Sequence, residues 1–297
     1  MHIMLKRGLH WGGSALAIIG IVFVTLRLRE YSIEADLAFD LVTWLVVAGL
    51  ALIYSLLNLM LALAWWSLLK HFGASTSRRW AISAYGISQI ARYVPGNIFH
   101  LVGRQAIGMA AGVAGWPLAK SAVWELGLIS LAGGLLSLVT LPLLVPSLPV
   151  KAMVILFVAV VGIVAVLLWR FLGPLVAQAF GWYVGFLTLT GMLFVGLIEM
   201  LAENFGGVGV DWLLLGGAYV LAWLAGLVTP GAPAGLGVRE LVLLFLLKGA
   251  VGEADLLLAV VLGRLVTVGG DFLFFTLTTV GRYMELRAER EHESNAR

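Results

Sequence analysis

The chain has 297 residues, of which 61% are hydrophobic and only 12% are charged, and its mean hydropathy is +1.02. A soluble domain carries about twice that share of charged residues, so the composition indicates an integral membrane protein. The chain has no cysteine, five scattered histidines and a net charge of +3, so no disulfide, metal or other cofactor and no nucleic-acid partner is expected.

Long apolar segments recur along the whole chain, and several approach the roughly 20 residues that a helix needs to cross a bilayer. Two further segments are apolar but interrupted. The sequence therefore predicts an all-α polytopic membrane protein with about seven or eight transmembrane helices and two broken or re-entrant segments. The predicted spans are 10–26, 41–69, 116–141, 152–172, 181–201, 212–228 and 256–280, and the broken segments are 80–113 and 229–247.

Basic residues mark one side of the membrane. They precede the first span, they follow the second at 70–79, and they recur in the charged tail at 282–297. By the positive-inside rule these segments are cytoplasmic. We therefore expect a protein of the cytoplasmic membrane of a prokaryote, with both termini on the cytoplasmic side. An even number of crossings then requires one broken segment to traverse the membrane in two halves, and either one fits. Residues 1–281 form a single predicted transmembrane domain.

The stretch at 229–240, with the sequence TPGAPAGLGVRE, separates two strongly apolar segments. Pro230, Pro233 and three glycines prevent a regular helix there, and Arg239 and Glu240 close the stretch. Broken backbone and ionisable groups at membrane depth are tolerated where protein buries them or where they line a watery cavity. The stretch is therefore a predicted binding site.

An earlier stretch, VPGNIFHLVGR, has a similar layout. Pro95 precedes Arg104 by nine positions, and the later stretch repeats this proline-to-arginine spacing, with a glycine shortly before each arginine. Two interrupted segments in corresponding positions point to the binding site of a transporter. We therefore predict an inverted repeat with halves at about 1–145 and 146–281, whose two breaks lie close together in the fold.

These motif residues also carry a family resemblance. Arg92 and the four residues after it, RYVPG, with Gly103 and Arg104, resemble the first signature of the lysylphosphatidylglycerol synthase transmembrane family, and PAGLGVRE at 233–240 resembles the second. Ala234 stands where the family's pattern has a glycine. The resemblance covers nearly the whole chain. It implies a lipid flippase region without the aminoacyl-transfer domain of the bifunctional members, and it does not name the lipid.

The candidate site residues are those that would hold a phosphate. Arginine presents a planar fork of donors to phosphate oxygens, and a helix that begins after a break presents free N–H groups. We expect Arg104 and Arg239 to begin half-helices or to lie early in them, and Glu240 to pair with Arg104 across the repeat. The candidate substrate-binding residues are Arg92, Pro95, Gly96, Arg104, Pro230, Gly231, Gly235, Gly237, Arg239 and Glu240.

Three further charged residues fall inside predicted spans. Glu125 lies about eight residues into its span, roughly 12 Å deep at 1.5 Å per residue, where an acid needs a basic partner or a proton. Arg264 and Asp271 are seven residues apart and share a helix face, so they form a buried pair or neutralise charges on other spans. Trp65 and Tyr183 lie near span ends and are assigned to the interfacial aromatic belt.

Three functions are compatible with these features. The leading hypothesis is a flippase-like transporter, not an enzyme, that moves an anionic phospholipid or a polyprenyl phosphate across the membrane. The alternatives are a non-catalytic membrane subunit that supports a glycosyltransferase or lipid-modifying enzyme, and a secondary transporter of a small soluble solute. A homo-oligomer and a complex with a partner membrane enzyme both remain open.

Overall fold

The computed structural model describes residues 41–93, 99–202, 211–229, 232, 235–249 and 251–295. Within these residues the chain forms ten α-helices and two short 3-10 helices, at Ile90–Tyr93 and Ser137–Thr140. The α-helices are α1 (Leu41–His71), α2 (Arg78–Gln89), α3 (Phe99–Ala110), α4 (Gly115–Leu136), α5 (Leu141–Leu144), α6 (Val150–Leu172), α7 (Pro174–Ala202), α8 (Trp212–Val228), α9 (Val238–Leu247) and α10 (Glu253–Asn295).

Five of the seven predicted spans are helical stretches long and apolar enough to cross a membrane, and the chain is an all-α membrane protein. The predicted span at 212–228 is α8, an apolar helix of 17 residues, and the predicted span at 10–26 lies outside the described residues. The five stretches are Leu41–His71, Gly115–Leu144, Val150–Leu172, Pro174–Leu201 and Asp255–Met284.

A sharp reversal joins α6 to α7. Gly173 follows the end of α6 with a φ of 95°, a conformation that residues with a side chain rarely adopt. Pro174 is the first residue of α7, a position where the N–H group that proline lacks would have no partner in the helix. None of the residues of α6 is buried, so α6 is a peripheral helix with a wide apolar surface towards lipid.

Helices α1 and α7 pack against each other at the centre of the bundle, α10 packs against α1, and α4 packs against α7. Aromatic side chains fill this centre: the ring of Phe186 lies 6.1 Å from that of Tyr54 and 6.2 Å from that of Trp223. Trp65 and Tyr183 are fully buried, so their assignment to the interfacial belt is wrong. Nearness to a span end fixes the depth of a side chain, and these two point inwards.

Both broken segments contain short helices. We call the segment between α2 and α3 the first break and the segment between α8 and α9 the second break. Helices α2 and α3 have 12 residues each, about 18 Å at 1.5 Å per residue, against about 30 Å for the hydrocarbon core. In the second break, Gly235 (φ 70°) and Gly237 (φ 81°) have positive φ angles. Glycine adopts them readily and a right-handed helix does not contain them, so α9 begins only at Val238.

Candidate functional site

Six of the residues singled out from the sequence form three ion pairs inside the bundle. Each pair joins an arginine to a carboxylate on a different helical segment, and all three carboxylate side chains are buried. A pair of this kind fixes the two segments relative to each other, because separating them would leave a charge unpaired in a medium that does not solvate it. The pairs are Arg104–Glu125 at 2.6 Å, Arg92–Asp271 at 3.1 Å, and Arg264–Glu240.

The first-break cluster consists of Arg104, Glu125, Tyr85 and Trp65. Glu125 accepts a hydrogen bond from Arg104 through one oxygen and, at 3.0 Å, from the hydroxyl of Tyr85 through the other. The guanidinium of Arg104 lies 3.9 Å from the ring centre of Tyr85 and 5.1 Å from that of Trp65. Stacking on two aromatic faces adds to the ion pair in stabilising this cation, which is 1% exposed.

The Asp271 cluster joins the first break to the last helix. Asp271, on α10, accepts hydrogen bonds from Arg92 at 3.1 Å, from the hydroxyl of Tyr93 at 2.7 Å, from Asn58 at 3.0 Å and from Gln89 at 3.3 Å. The carboxylate is 1% exposed and uses both of its oxygens. These bonds hold the 3-10 helix that ends α2 against α1 and α10.

Two expectations about these charges need correction, and a third is confirmed. Glu240 pairs with Arg264, so its expected pairing with Arg104 is wrong. Arg264 and Asp271 share a helix and neutralise charges on other segments, which is one of the two arrangements expected for them. Arg104 is the sixth residue of α3 and does not lie at the helix start, so only Arg239, the second residue of α9, stands at the N-terminus of a half-helix.

The second break is held by a close approach of two glycines. A Cβ added to Gly226 of α8 would lie 3.0 Å from the Cα of Gly235 and 2.8 Å from the Cγ of Arg239. The carbonyl of Gly235 accepts a hydrogen bond of 3.0 Å from Arg264 Nη2. Glycine at both positions therefore lets the backbone of the break lie directly on α8, with two arginines beside it.

Arg239 differs from Arg92, Arg104 and Arg264, the arginines of the three ion pairs. It is 9% exposed, and it forms no ion pair within the part of the chain that the structure describes. Its Nε, like the Nε and Nη2 of Arg104, has no hydrogen-bond partner there. Its guanidinium lies 5.4 Å from the ring centre of Trp223, whose indole N–H also has no partner there. An unpaired buried charge is expensive, of the order of several kcal/mol, so an anion at this position would stabilise the site.

Further donors surround Arg239. Gly237 precedes the first residue of α9 and has no side chain to cap the helix. The N–H groups of the first turn are therefore free to bind a ligand. The carboxylate of Glu240 lies in the same turn, with one oxygen on Arg264 and the other without a partner among the described residues. The second-break site therefore offers donors to an anion and one acceptor beside them.

Sequence reasoning missed most of the neutral residues of these clusters. Tyr85, Tyr93, Asn58 and Gln89 each touch a buried charge, and the one available signal was the density of polar and aromatic residues in and near a short amphipathic helix. Among the described residues, no group of three or more histidine, aspartate and glutamate side chains is arranged to hold a metal. Four candidate residues, Pro95, Gly96, Pro230 and Gly231, lie outside the described residues.

The sequence matches no family model and no curated protein. The resemblance to the lysylphosphatidylglycerol synthase transmembrane family therefore depends on the motif residues alone and stays a prediction.

Proposed function

We propose that the protein binds the anionic headgroup of a lipid at the second break and moves that lipid across the membrane. The observation that carries the proposal is the unpaired cation at Arg239. The three carboxylates of the clusters are each matched to one arginine, so Arg239 carries the positive charge that is left over. A phosphate group would neutralise it and would accept from the guanidinium fork and from the free N–H groups of α9.

The surroundings of the site favour a lipid over a soluble solute. Val228, at the end of α8, is 61% exposed, and Phe245, on α9, is 74% exposed. Both apolar side chains flank the second break on the outer surface of the bundle. A headgroup at Arg239 would thus lie close to a surface that hydrocarbon covers, and the acyl chains of the same molecule would stay in the bilayer.

The packing of the helices supports the predicted repeat. In the first half α1 packs on α2, α2 on α3, and α3 on α4; in the second half α7 packs on α8, α8 on α9, and α9 on α10. The contacts between halves correspond as well, since α1 packs on α10 as α7 packs on α4. This correspondence is what two copies of one unit related by a pseudo-two-fold axis would produce. It is the arrangement that many secondary transporters use around a central substrate.

The two breaks also share one chemical feature. Arg104, on the helix after the first break, lies over Tyr85 on the helix before it, and Arg239 lies over Trp223 in the same relation across the second break. They differ in charge balance, because Arg104 is neutralised by Glu125. The first break is therefore the closed, structural member of the pair, and the second break is the member that binds the ligand.

Reconstitution into liposomes tests the proposal. Translocation of fluorescent phosphatidylglycerol is measured from the fraction of the dye that a chemical reductant outside the liposomes can reach in the outer leaflet. Arg239→Ala should reduce the rate about 30-fold, as expected for the loss of charge-assisted hydrogen bonds worth about 2 kcal/mol, and Arg239→Lys should retain part of it because the charge remains without the fork. Arg170→Ala, at an exposed arginine of α6, is the matched control.

Other outcomes would separate the alternatives. Full activity of Arg239→Ala removes this residue from the site. Headgroup binding without translocation by the wild-type protein supports a non-catalytic membrane subunit. Uptake of a soluble phosphate ester without lipid movement supports a solute transporter.

A further inference from the structure

A groove further along α10 from the second break, beside residues 274–281, has the character of a separate lipid site. It lies between α1, α2 and α10, has a volume of about 240 Å³ and opens to the outside of the bundle. None of the residues that line it belongs to the three ion pairs. Its α2 wall carries Arg79 and Ser83, and its α1 and α10 walls carry Leu56, Leu59 and Leu277.

The α2 wall of the groove is suited to a phosphate. Arg79 is exposed and forms no ion pair or hydrogen bond with another described residue. It is the second residue of α2. Ser77 caps the N-terminus of this helix, and its side chain accepts a hydrogen bond from the N–H of Trp80. The N–H groups before Trp80 are therefore available beside the guanidinium of Arg79. Ser83 lies one helical turn further along the same face of α2.

A buried polar atom marks the floor of the groove. Ser55, on α1, is 1% exposed, and its Oγ has no hydrogen-bond partner within the described part of the chain. A serine in a helix usually satisfies its hydroxyl on a backbone carbonyl, as Thr278 does across the groove with Phe274. Where Gly86 meets Thr278 the groove is closed, because a Cβ at Gly86 would lie 2.2 Å from the hydroxyl.

The apolar walls of the groove, on α1 and α10, continue to the lipid-facing surface. Leu56 is 53% exposed and Leu277 is 56% exposed, and they stand on the two outer walls formed by α1 and α10. A groove with a charged residue on one wall and apolar residues on the other two can hold a molecule that has both a phosphate and a hydrocarbon chain. A soluble phosphate would use the α2 wall alone.

We propose that this groove binds one anionic phospholipid, with its phosphate on Arg79, its glycerol region beside Ser83 and Ser55, and an acyl chain between Leu56 and Leu277. The site lies in the leaflet on the side where α2 begins, and it binds lipid whether or not the protein transports one. Arg78 provides the matched control, since its guanidinium lies 4.6 Å from the ring centre of Trp66 and it does not line the groove.

The absence of cysteine from the sequence makes a site-specific test possible. Ser83→Cys introduces a single thiol into the groove, and its rate of reaction with a maleimide in detergent measures access to the groove. Phosphatidylglycerol should slow the reaction, while glycerol phosphate at equal concentration should not. Adding Arg79→Gln should raise the phosphatidylglycerol concentration needed for protection about tenfold, as loss of one charge-assisted contact predicts, whereas Arg78→Gln should leave it unchanged.

Leu277→Cys repeats the measurement from the opposite wall, where the side chain is exposed whatever the state of Ser83. Protection of both thiols by phosphatidylglycerol, lost on Arg79→Gln alone, establishes the site. Equal protection in the Arg79 and Arg78 variants, or protection by glycerol phosphate as strong as by the lipid, overturns the proposal.

Discussion

Gly226 and Gly235 come so close that a Cβ on Gly235 would lie 2.8 Å from the Cα of Gly226, and 2.9 Å from the Nε of Arg239. Gly226→Ala should therefore displace the side chain of Arg239 while leaving the charge of every residue unchanged. We expect translocation to fall at least about tenfold, as even a 1 Å displacement of a positioning group is costly. Lipid translocation in liposomes, together with thermal unfolding, measures the two effects separately.

Gly134→Ala is the control for this substitution. Gly134 is an exposed glycine of α4, and a Cβ added there would meet no atom of another described segment within 4 Å. Alanine there should leave translocation intact and stabilise the helix by about 0.5–1 kcal/mol. If Gly226→Ala behaves like Gly134→Ala, the close approach of the two glycines does not position Arg239.

Glu125 should be a stability residue. Glu125→Ala leaves the buried guanidinium of Arg104 without its carboxylate, which should destabilise the fold by about 3–5 kcal/mol. Glu125→Leu combined with Arg104→Met removes both charges and should recover much of that loss. Thermal unfolding in detergent checks both, with Glu199→Gln, at an exposed carboxylate of α7, as the control. A neutral effect of Glu125→Ala would contradict the structural role given to the first break.

Asp271 should hold the first break in place. Asp271→Asn removes the charge that Arg92 pairs with and turns one acceptor oxygen into a donor facing other donors. We expect faster amide hydrogen exchange at 90–93, because the 3-10 helix loses its attachment to α10. Asp255→Asn, the same change elsewhere on α10, should not alter exchange there. Unchanged protection at 90–93 would show that other contacts hold this segment.

The sequence predicted five of the long apolar helices correctly but did not predict which charged residues pair with each other. Long apolar runs predict helices directly, and the prolines and glycines of the second break predict its interruption, since both act on the local backbone. The ion-pair partners could not be predicted in this way, because Arg92 and Asp271 are 179 residues apart and nothing in the sequence of either segment specifies the other. The adjacency of Arg239 and Glu240 likewise gave no sign that Glu240 turns to Arg264.

Faces were as hard to predict as partners. Trp65 lies near the end of a span, which is typical of the interfacial belt, yet it is fully buried because α2 and the guanidinium of Arg104 cover it. Hydrophobicity does not show which side of α1 faces the interior of the bundle, since a membrane helix is apolar towards lipid and towards its neighbours alike. Only the positions of Tyr85 and Arg104 in three dimensions show which way the indole points.

Glu240 is the residue through which the charge of the second-break site can be changed. Glu240→Gln releases Arg264 from its ion pair, so two cations would then face a bound headgroup instead of one. Removing the pair should destabilise the fold by about 1–3 kcal/mol. It should also tighten binding of phosphatidylglycerol and slow its translocation, because a more strongly held headgroup leaves more slowly.

Added salt should relieve part of the effect where the site is open to water. Lipid binding and translocation measured on one preparation would show this opposite movement, with Glu199→Gln as the control. Weaker binding by Glu240→Gln would mean that the carboxylate itself contacts the headgroup, and that the ligand brings a donor group to the free oxygen of Glu240.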